Sequence, residues 1–255
     1  MARRIKGLLA AAACCAALTN AAFAGVIVSH SGATDPTTES FSQVGGTWSP
    51  VTNDLGLGIS AVNVQGTWDS GQMTHGFTGT EQTELTSGDW VLSADFRDLS
   101  TATTPTYAQW PYSYGDWVSI LFNGVRFDIG LSSDGAGDQF LLTNLFASTP
   151  AYTITGLGQS YALVQLDYNA TIGKADYYVN GVKVLSGVAG TSTPWSPQLA
   201  FGGQNGNFNL VQLRTGDLTT TPEPASWLGA GAGLLALLAL AGFRADRGAR
   251  VSRGL

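Results

Sequence analysis

Short runs of alternating apolar and polar residues recur through the middle and the second half of the chain. Residues 89–97 alternate in this way, and residues 117–122 and 175–179 each lead into an Asn-Gly pair followed by another apolar run. A period of two places alternate side chains on opposite faces of a strand. Both residues of Asn-Gly accept the positive φ of a tight hairpin turn. The pattern therefore predicts β-hairpins that turn at 123–124 and at 180–181.

The same periodicity predicts about ten strands and no helix. The strand-like segments are 57–65, 89–97, 117–122, 125–130, 140–145, 152–155, 161–168, 175–179, 182–185, 198–201 and 208–213. Many short strands separated by Gly, Thr and Ser are typical of a β-sandwich. We expect one all-β domain over 25–218, a two-sheet sandwich of the jelly-roll type, with a long loop over 100–114.

The N-terminus has the three parts of a secretory signal peptide. Arg3, Arg4 and Lys6 form a positive region, a short apolar stretch follows, and Ala22 and Ala24 supply the small residues that a signal peptidase reads. We expect a signal peptide over 1–24, with cleavage after Ala24.

The C-terminus predicts a membrane span. Residues 225–243 carry no charge, and Arg244, Arg247 and Arg250 follow in a basic tail over 244–255. A helix of this length rises about 28 Å, close to the ~30 Å hydrocarbon core of a bilayer. Arginines favour the cytoplasmic side of a membrane. We therefore expect a transmembrane helix over 225–243, a cytoplasmic tail and a body outside the inner membrane.

Pro222, Glu223 and Pro224 lie directly before this span, in a linker over 219–226. The order of Pro-Glu-Pro, short apolar helix and arginine tail resembles the PEP-CTERM sorting signal of exopolysaccharide-producing Gram-negative bacteria. The resemblance implies an exosortase as partner, acting at Pro-Glu-Pro and passing the body from the inner membrane to the cell surface or biofilm matrix. An ordinary C-terminal membrane anchor is the alternative.

The body is strongly acidic. Between the two signals it has five basic and sixteen acidic residues, a formal net charge of −11. Such a surface repels phosphate backbones, which argues against nucleic acid as a partner and favours solubility or binding of divalent cations.

Both cysteines, Cys14 and Cys15, lie in the predicted signal peptide. The body therefore has no disulfide, no cysteine nucleophile and no cysteine-bound metal. Lipidation of one of these cysteines is an alternative to ordinary cleavage of the signal.

The second half of the body resembles the concanavalin A-like and laminin-G-like domains. Residues 161–168, a turn and then 175–182, which contains Tyr178-Val179-Asn180-Gly181-Val182, match their strand–turn–strand pattern. Residues 201–203 and 208–211 fit their closing strands. The resemblance implies a lectin- and glucanase-type sandwich, an architecture that carries lectins, glycosidases and non-catalytic adhesion modules.

The carboxylates do not form a glycosidase pattern. The body has three glutamates, Glu39, Glu81 and Glu84, and none has the alternating spacing that places an acid pair on one strand face. Asp128 is a single acid on a predicted strand. His30 and His75 stand apart from any Ser-Asp pattern, so we expect structural roles for both. The protein is predicted not to be an enzyme.

One segment has the composition of a cation loop. Asp134 and Asp138 are four residues apart with glycines between them, so their carboxylates could converge on Ca²⁺. Asp and Gly are also the residues that turns prefer. A Ca²⁺ site and an ordinary acidic turn therefore both remain open, and no other cofactor is predicted.

Aromatic residues cluster in the long loop. Trp110, Tyr112 and Tyr114 could stack on sugar rings, with the alternative that they pack beneath the loop. Trp195 is predicted to pack in the core or at a sheet edge, together with Trp48, Trp68 and Trp90.

These patterns predict an exported, non-catalytic module that binds or organises extracellular polysaccharide. Its expected partners are an exosortase, exopolysaccharide and, before processing, the membrane. A structural matrix protein without a sugar site and a divergent glycosidase are the alternatives.

Overall fold

The computed structural model describes residues 25–66, 72–99, 115–133, 137–145 and 150–216. Several predicted features lie outside these ranges. They are the signal peptide with Ala22 and Ala24, the loop residues Trp110, Tyr112 and Tyr114, the predicted calcium ligand Asp134, the motif Pro222, Glu223 and Pro224, the span 225–243, and the flanking Arg244, Arg247 and Arg250. Within the described ranges, no helix combines the length and apolar character that crossing a membrane requires.

The described residues contain sixteen strands, one short 3₁₀-helix (Pro36–Glu39) and one α-helix, α1 (Gly79–Ser87). The strands are β1 (Gly25–Ser31), β2 (Ser42–Val44), β3 (Thr47–Asp54), β4 (Ile59–Gln65), β5 (Gln72–Gly76), β6 (Trp90–Asp98), β7 (Asp116–Phe122), β8 (Val125–Ser133), β9 (Gln139–Leu142), β10 (Tyr152–Ile154), β11 (Ala162–Asn169), β12 (Lys174–Val179), β13 (Val182–Ala189), β14 (Thr191–Ser192), β15 (Gln198–Gly203) and β16 (Asn205–Thr215).

The strands form two antiparallel sheets. The first has the order β13-β12-β11-β6-β16-β4-β3, with β1 beside β16. The second has the order β10-β9-β8-β7-β15-β5-β2, with β14 beside β8. The predicted all-β, two-sheet antiparallel sandwich is confirmed.

Aromatic side chains fill the space between the sheets. Trp90 is fully buried; its ring stacks on Tyr168 with centroids 4.8 Å apart and meets Phe122 and Phe127 edge-on at 5.4 and 5.9 Å. Stacked and edge-to-face geometries are those that aromatic pairs prefer. This cluster joins β6 and β11 of the first sheet to the β7–β8 hairpin of the second.

Both predicted hairpin turns occur. Asn123 and Gly124 have φ values of 49° and 71°, and Asn180 and Gly181 have values of 50° and 79°. Positive φ at both central residues is the geometry of a type I′ turn, whose twist matches that of the flanking strands. The turns set the registers of β7 with β8 and of β12 with β13.

The prediction that the body has no helix is wrong. Thr78 caps α1 through a capping box, in which the Glu81 amide donates to Thr78 Oγ1 at 3.3 Å and the Thr78 amide donates to Glu81 Oε2 at 2.7 Å. Reciprocal bonds of this kind satisfy two amides that a helix start leaves without partners. Glu81 and Glu84 are three residues apart, a spacing that does not place two side chains on one strand face. Both lie in α1, where this spacing is that of neighbours on a helix.

The two histidines make structural contacts in the first third of the chain. His30 is fully buried and stacks on Phe201 at 5.4 Å, and its Nδ1 lies 2.6 Å from Glu39 Oε2. His75 Nε2 lies 3.2 Å from Glu81 Oε1. Each histidine therefore ties a strand to a helical segment.

The backbone of Gly206 on β16 lies directly against the side chain of Asp116 on β7. An added Cβ there would come within 2.5 Å of Asp116 Cγ, although the backbone of Gly206 is not in the left-handed region. We expect Gly206→Ala to lower the free energy of unfolding by about 1–3 kcal/mol through overpacking. Urea unfolding of the purified protein measures this change. Gly76→Ala is the matched control, because an added Cβ at this strand residue meets nothing within 4 Å. Equal stabilities of the two variants would contradict the close packing.

Candidate functional site

Side chains alternate between the two faces of each strand in the second sheet, so those that point away from the core form an outer layer. On β7, Val118 and Ile120 point into the core, whereas Ser119 and Leu121 point away from it. The outward residues are nevertheless almost fully buried. Polar and apolar side chains together therefore form a packed layer on this face.

A cavity of about 220 Å³ opens in this layer. Its apolar walls and floor come mainly from β7, β15 and the segment after β9, and its polar groups are two glutamines, a serine and an arginine. The lining residues are Gln72, Trp117, Ser119, Leu121, Arg126, Leu145, Trp195, Gln198 and Ala200. The volume is below the ~300–1,000 Å³ usual for small-molecule pockets, so it suits a single ring-sized group.

A buried ion pair supports the cavity. Arg126 is 2% exposed, and its Nε donates to Asp128 Oδ2 at 2.9 Å. Asp128 also accepts from Ser119 Oγ at 2.5 Å and from the Leu145 amide at 3.1 Å. Hydrogen bonds to both carboxylate oxygens compensate for part of the cost of burying this pair.

Burial raises the pKa of Asp128, while Arg126 and the Ser119 hydroxyl act in the opposite direction. The Tyr177 hydroxyl donates to the backbone carbonyl of Asp128 at 3.0 Å. This bond joins β12 of the first sheet to β8, the strand of the second sheet that carries the ion pair.

Trp195 lies above the arginine. The Arg126 guanidinium carbon is 5.2 Å from the centroid of the indole ring, within the range of a cation–π interaction, and Trp195 is 50% exposed. Thr191 of β14 pairs with Arg126 of β8, and the Thr193 amide donates to the Gly124 carbonyl at 2.9 Å. These contacts hold residues 191–193 against the β7–β8 hairpin. They thereby place the indole ring of Trp195 at the edge of the cavity.

Of the sequence-predicted site residues, Asp138 lies within the described ranges. Its Oδ1 accepts from the Gly156 amide at 2.8 Å, which ties one turn to another. No group of three or more His, Cys, Asp or Glu side chains within these ranges is arranged to hold a metal ion. A Ca²⁺ site at Asp134 and Asp138 stays a prediction.

Trp195, Arg126 and the two glutamines were not predicted as site residues from the sequence. Trp195 is a rim residue of a cavity, not a core residue. A signal was present, because Trp195 stands between Pro194 and Pro197 in a loop-forming segment. Nothing in the sequence indicated that this loop would meet Arg126.

No protein-family model matches the chain, and no curated protein matches it in sequence. The fold is similar to that of the conserved carbohydrate esterase from the Shiga toxin-encoding bacteriophage phi24B. That structure matches with a TM-score of 0.54 and 10% identity, over 76% of this chain and 100% of that one.

Two toxin domains are also similar, at lower scores. The binding domain of botulinum neurotoxin DC, solved with rat synaptotagmin II, has a TM-score of 0.47 and 11% identity, over 76% of this chain and 48% of that one. The binding domain of Paraclostridial Mosquitocidal Protein 1 has a TM-score of 0.48 and 12% identity, over 76% and 49%. The chain thus spans about half the length of these toxin chains. The comparisons establish an all-β sandwich similar in fold to a carbohydrate esterase.

Replacing Arg126 by Met would leave Asp128 buried without its counter-charge. We expect the free energy of unfolding to fall by about 3–5 kcal/mol at pH 7. Burial raises the pKa of Asp128, so the folded state holds the proton to higher pH than the unfolded state and stability falls as the pH rises. The loss should therefore shrink towards about pH 4, near the ordinary pKa of Asp. Urea unfolding across this pH range measures the loss.

Lys183→Met is the matched control, because Lys183 and Asp176 form an exposed pair at 2.6 Å. Removing an exposed pair should change stability far less. A loss for Arg126→Met that does not depend on pH would show that Asp128 is not the group responsible.

Proposed function

We propose that the body is a non-catalytic glycan-binding domain of the concanavalin A-like jelly-roll type. The single observation that carries the proposal is the half-exposed Trp195 ring, held over Arg126 at the edge of the cavity. An aromatic face fixed in this way is a surface on which the apolar face of a sugar ring can stack.

The lining of the cavity fits a neutral sugar. Gln72 and Gln198 offer amide donors and acceptors to hydroxyl groups, and Trp117 and Leu121 contribute apolar surface. The acidic body repels polyanions, and the positive charge of Arg126 is already compensated by Asp128. The volume of the cavity suits one sugar unit or a chain end.

The absence of catalysis is part of this proposal. Within the described ranges, no carboxylate lines the cavity, although a retaining glycosidase needs two acids about 5 Å apart. Asp128 is fully buried beneath the cavity with both oxygens bonded. His30 and His75 do not line it, so an esterase triad with Ser119 as nucleophile is not assembled there.

The proposal includes export of the domain on the PEP-CTERM-like signal. The signal peptide over 1–24 and the span over 225–243 support passage through the inner membrane, and Pro-Glu-Pro at 222–224 supports processing by an exosortase. The destination is the cell surface or the exopolysaccharide matrix. A matrix protein without a sugar site is the competing hypothesis, and it does not explain a half-exposed indole at a cavity.

Trp195→Ala should weaken binding to whichever neutral glycan the wild-type protein retains on a glycan array. We expect at least a ~10-fold loss in affinity, since removing a stacked aromatic anchor costs about 1.4 kcal/mol or more. Trp195→Phe keeps a stacking surface and should restore most of the affinity.

Tyr178→Ala is the matched control, because this ring also carries a cation, Lys183 at 5.3 Å, but lies on the other sheet. Trp110→Ala and Tyr112→Ala test the predicted loop aromatics in the same assay. No retention of the wild-type protein on any glycan, or equal affinity for Trp195→Ala, would favour the structural matrix protein.

Replacing Glu223 by Ala should retain the protein in the inner membrane of the producing bacterium. The reason is that the predicted processing motif is lost while the span and its arginine flank are kept. Fractionation followed by immunoblotting measures the distribution and the size of the product. Glu84→Ala is the control acid substitution within the body. Release of Glu223→Ala to the surface at the wild-type size would contradict processing at this motif.

A further inference from the structure

A short segment early in the body lies along one edge of the sandwich. This strap, residues 35–44, consists of the 3₁₀-helix (Pro36–Glu39), a connector and β2, which is the outermost strand of the second sheet beside β5. The side chain of Phe41 anchors it, since it is 3% exposed and its ring meets that of Phe201 edge-on at 5.1 Å. Strand β2 is exposed along its whole length. The attachment of the strap therefore depends on few contacts.

Both histidines of the body contact the strap, at successive residues. His30 Nδ1 lies 2.6 Å from Glu39 Oε2, and His75 Nδ1 lies 3.0 Å from the backbone carbonyl oxygen of Ser40. The second ring nitrogen of His75, Nε2, lies 3.2 Å from Glu81 Oε1 of α1. His75 therefore connects the strap, its own strand β5 and α1.

The two partners of His75 are both hydrogen-bond acceptors. A backbone carbonyl has no proton to donate, and neither has an ionised carboxylate. Both bonds can form only if each ring nitrogen carries a proton, and an imidazole that donates from both nitrogens is an imidazolium cation. With a neutral ring, one nitrogen turns a lone pair towards an acceptor oxygen, so the bond to Ser40 or to Glu81 is lost.

The surroundings of Glu81 keep it ionised. Its Oε2 accepts from the Thr78 amide at 2.7 Å and from the Thr78 hydroxyl at 2.9 Å. Burial acts to raise the pKa of Glu81, but these bonds to Thr78, together with the charge and the hydrogen bond of His75, lower it below its ordinary value. The proton in the contact between Glu81 and His75 Nε2 therefore belongs to the histidine.

His30 differs from His75 in this respect. A single proton on Nδ1 satisfies its contact with Glu39, and its Nε2 is buried without a hydrogen-bond partner. A second proton on Nε2 would be buried beside the ring of Phe201 with no acceptor. His30 is thus a histidine on the same strap whose contacts do not require a positive charge.

Glu81 is the charged partner of His75 among the elements packed around it. Strands β2, β5 and β15 carry no other titratable side chain, and the rings of Phe41 and Phe77 meet that of His75 edge-on at 6.1 and 5.7 Å. The remaining acids of the strap and of α1 are Asp35, which accepts from Thr37, Glu39, which faces His30, and Glu84, which is exposed.

We propose that His75 is a proton-dependent latch, which holds the strap on the sandwich as an imidazolium and releases it as the pH rises. The latched form needs the second proton and the released form does not, so the closed strap binds more protons and the equilibrium constant for opening rises with pH. The rise begins at about pH 6.5, where a histidine in an unfolded chain loses its proton.

Release of the strap would leave β5 as the edge of the second sheet, with backbone groups available for pairing with another chain. The inference stands apart from the proposed glycan site, because His75, Ser40 and Glu81 do not line the cavity.

The test is hydrogen exchange of the Phe41 amide, measured by NMR on the purified protein between about pH 6 and pH 8. This amide donates to the Pro36 carbonyl at 3.1 Å within the strap. Its protection factor, which corrects for the intrinsic exchange rate at each pH, should fall by up to about tenfold per pH unit, the limit for one linked proton. In ¹⁵N spectra, both ring nitrogens of His75 should carry a proton at the acidic end of this range.

Glu81→Gln is the variant that separates the latch from the rest of the fold. Glutamine can keep the capping box with Thr78, and its amide group can donate to Nε2 of a neutral His75. The ring then makes both contacts with one proton, so the protection of Phe41 should no longer depend on pH. Glu84→Gln is the matched control, because Glu84 is an exposed acid on the same helix, and this variant should keep the full pH dependence.

Three results would overturn the proposal. They are a wild-type Phe41 protection factor that does not change with pH, a pH dependence that Glu81→Gln retains, and ¹⁵N shifts that show a neutral tautomer of His75 at about pH 6. The last result would place the proton of the Nε2 contact on Glu81. If Glu81→Gln fails to fold, the ¹⁵N spectra of the wild-type ring decide between the two assignments.

Discussion

The burial of two apolar sheet faces against each other is the interaction on which the rest of this structure depends. The body has no cysteine, so no disulfide shares the task, and the aromatic contacts between Trp90, Phe122, Phe127 and Tyr168 join the sheets directly. Burying each large apolar side chain contributes about 1.5–3 kcal/mol. A well-packed interior of this kind fixes the positions of the outward residues on the same strands, because neighbouring side chains alternate between the faces.

Two buried ion pairs in the described ranges show how this fold compensates buried charge. Arg97 donates to both oxygens of Asp54 at 2.9 and 2.6 Å, and Arg126 pairs with Asp128 on the other sheet. Such pairs contribute little net stability compared with apolar residues, but breaking one is costly. Their consequence here is positional, because Arg126 holds Trp195 at the edge of the cavity.

The second half of the fold could be predicted from the sequence because its signals are local. Asn123-Gly124 and Asn180-Gly181 specify their hairpins without help from the rest of the chain. Strands β1, β2, β3, β5 and β14 were not predicted from the sequence. Strand β3 shows why. Its single buried residue is Asp54, the last of the strand, and it contains Pro50, so an alternating pattern is almost absent at this sheet edge. The capping box at Thr78 was a local signal for α1 that the strand-based interpretation passed over.

The candidate site could not be predicted in the same way. Trp195 reaches Arg126 only because β14 pairs with β8, a contact between residues more than sixty positions apart in the sequence. Local sequence patterns predict that Trp195 lies in a loop between prolines and that Arg126 lies on a strand. They do not predict that the two side chains come into contact.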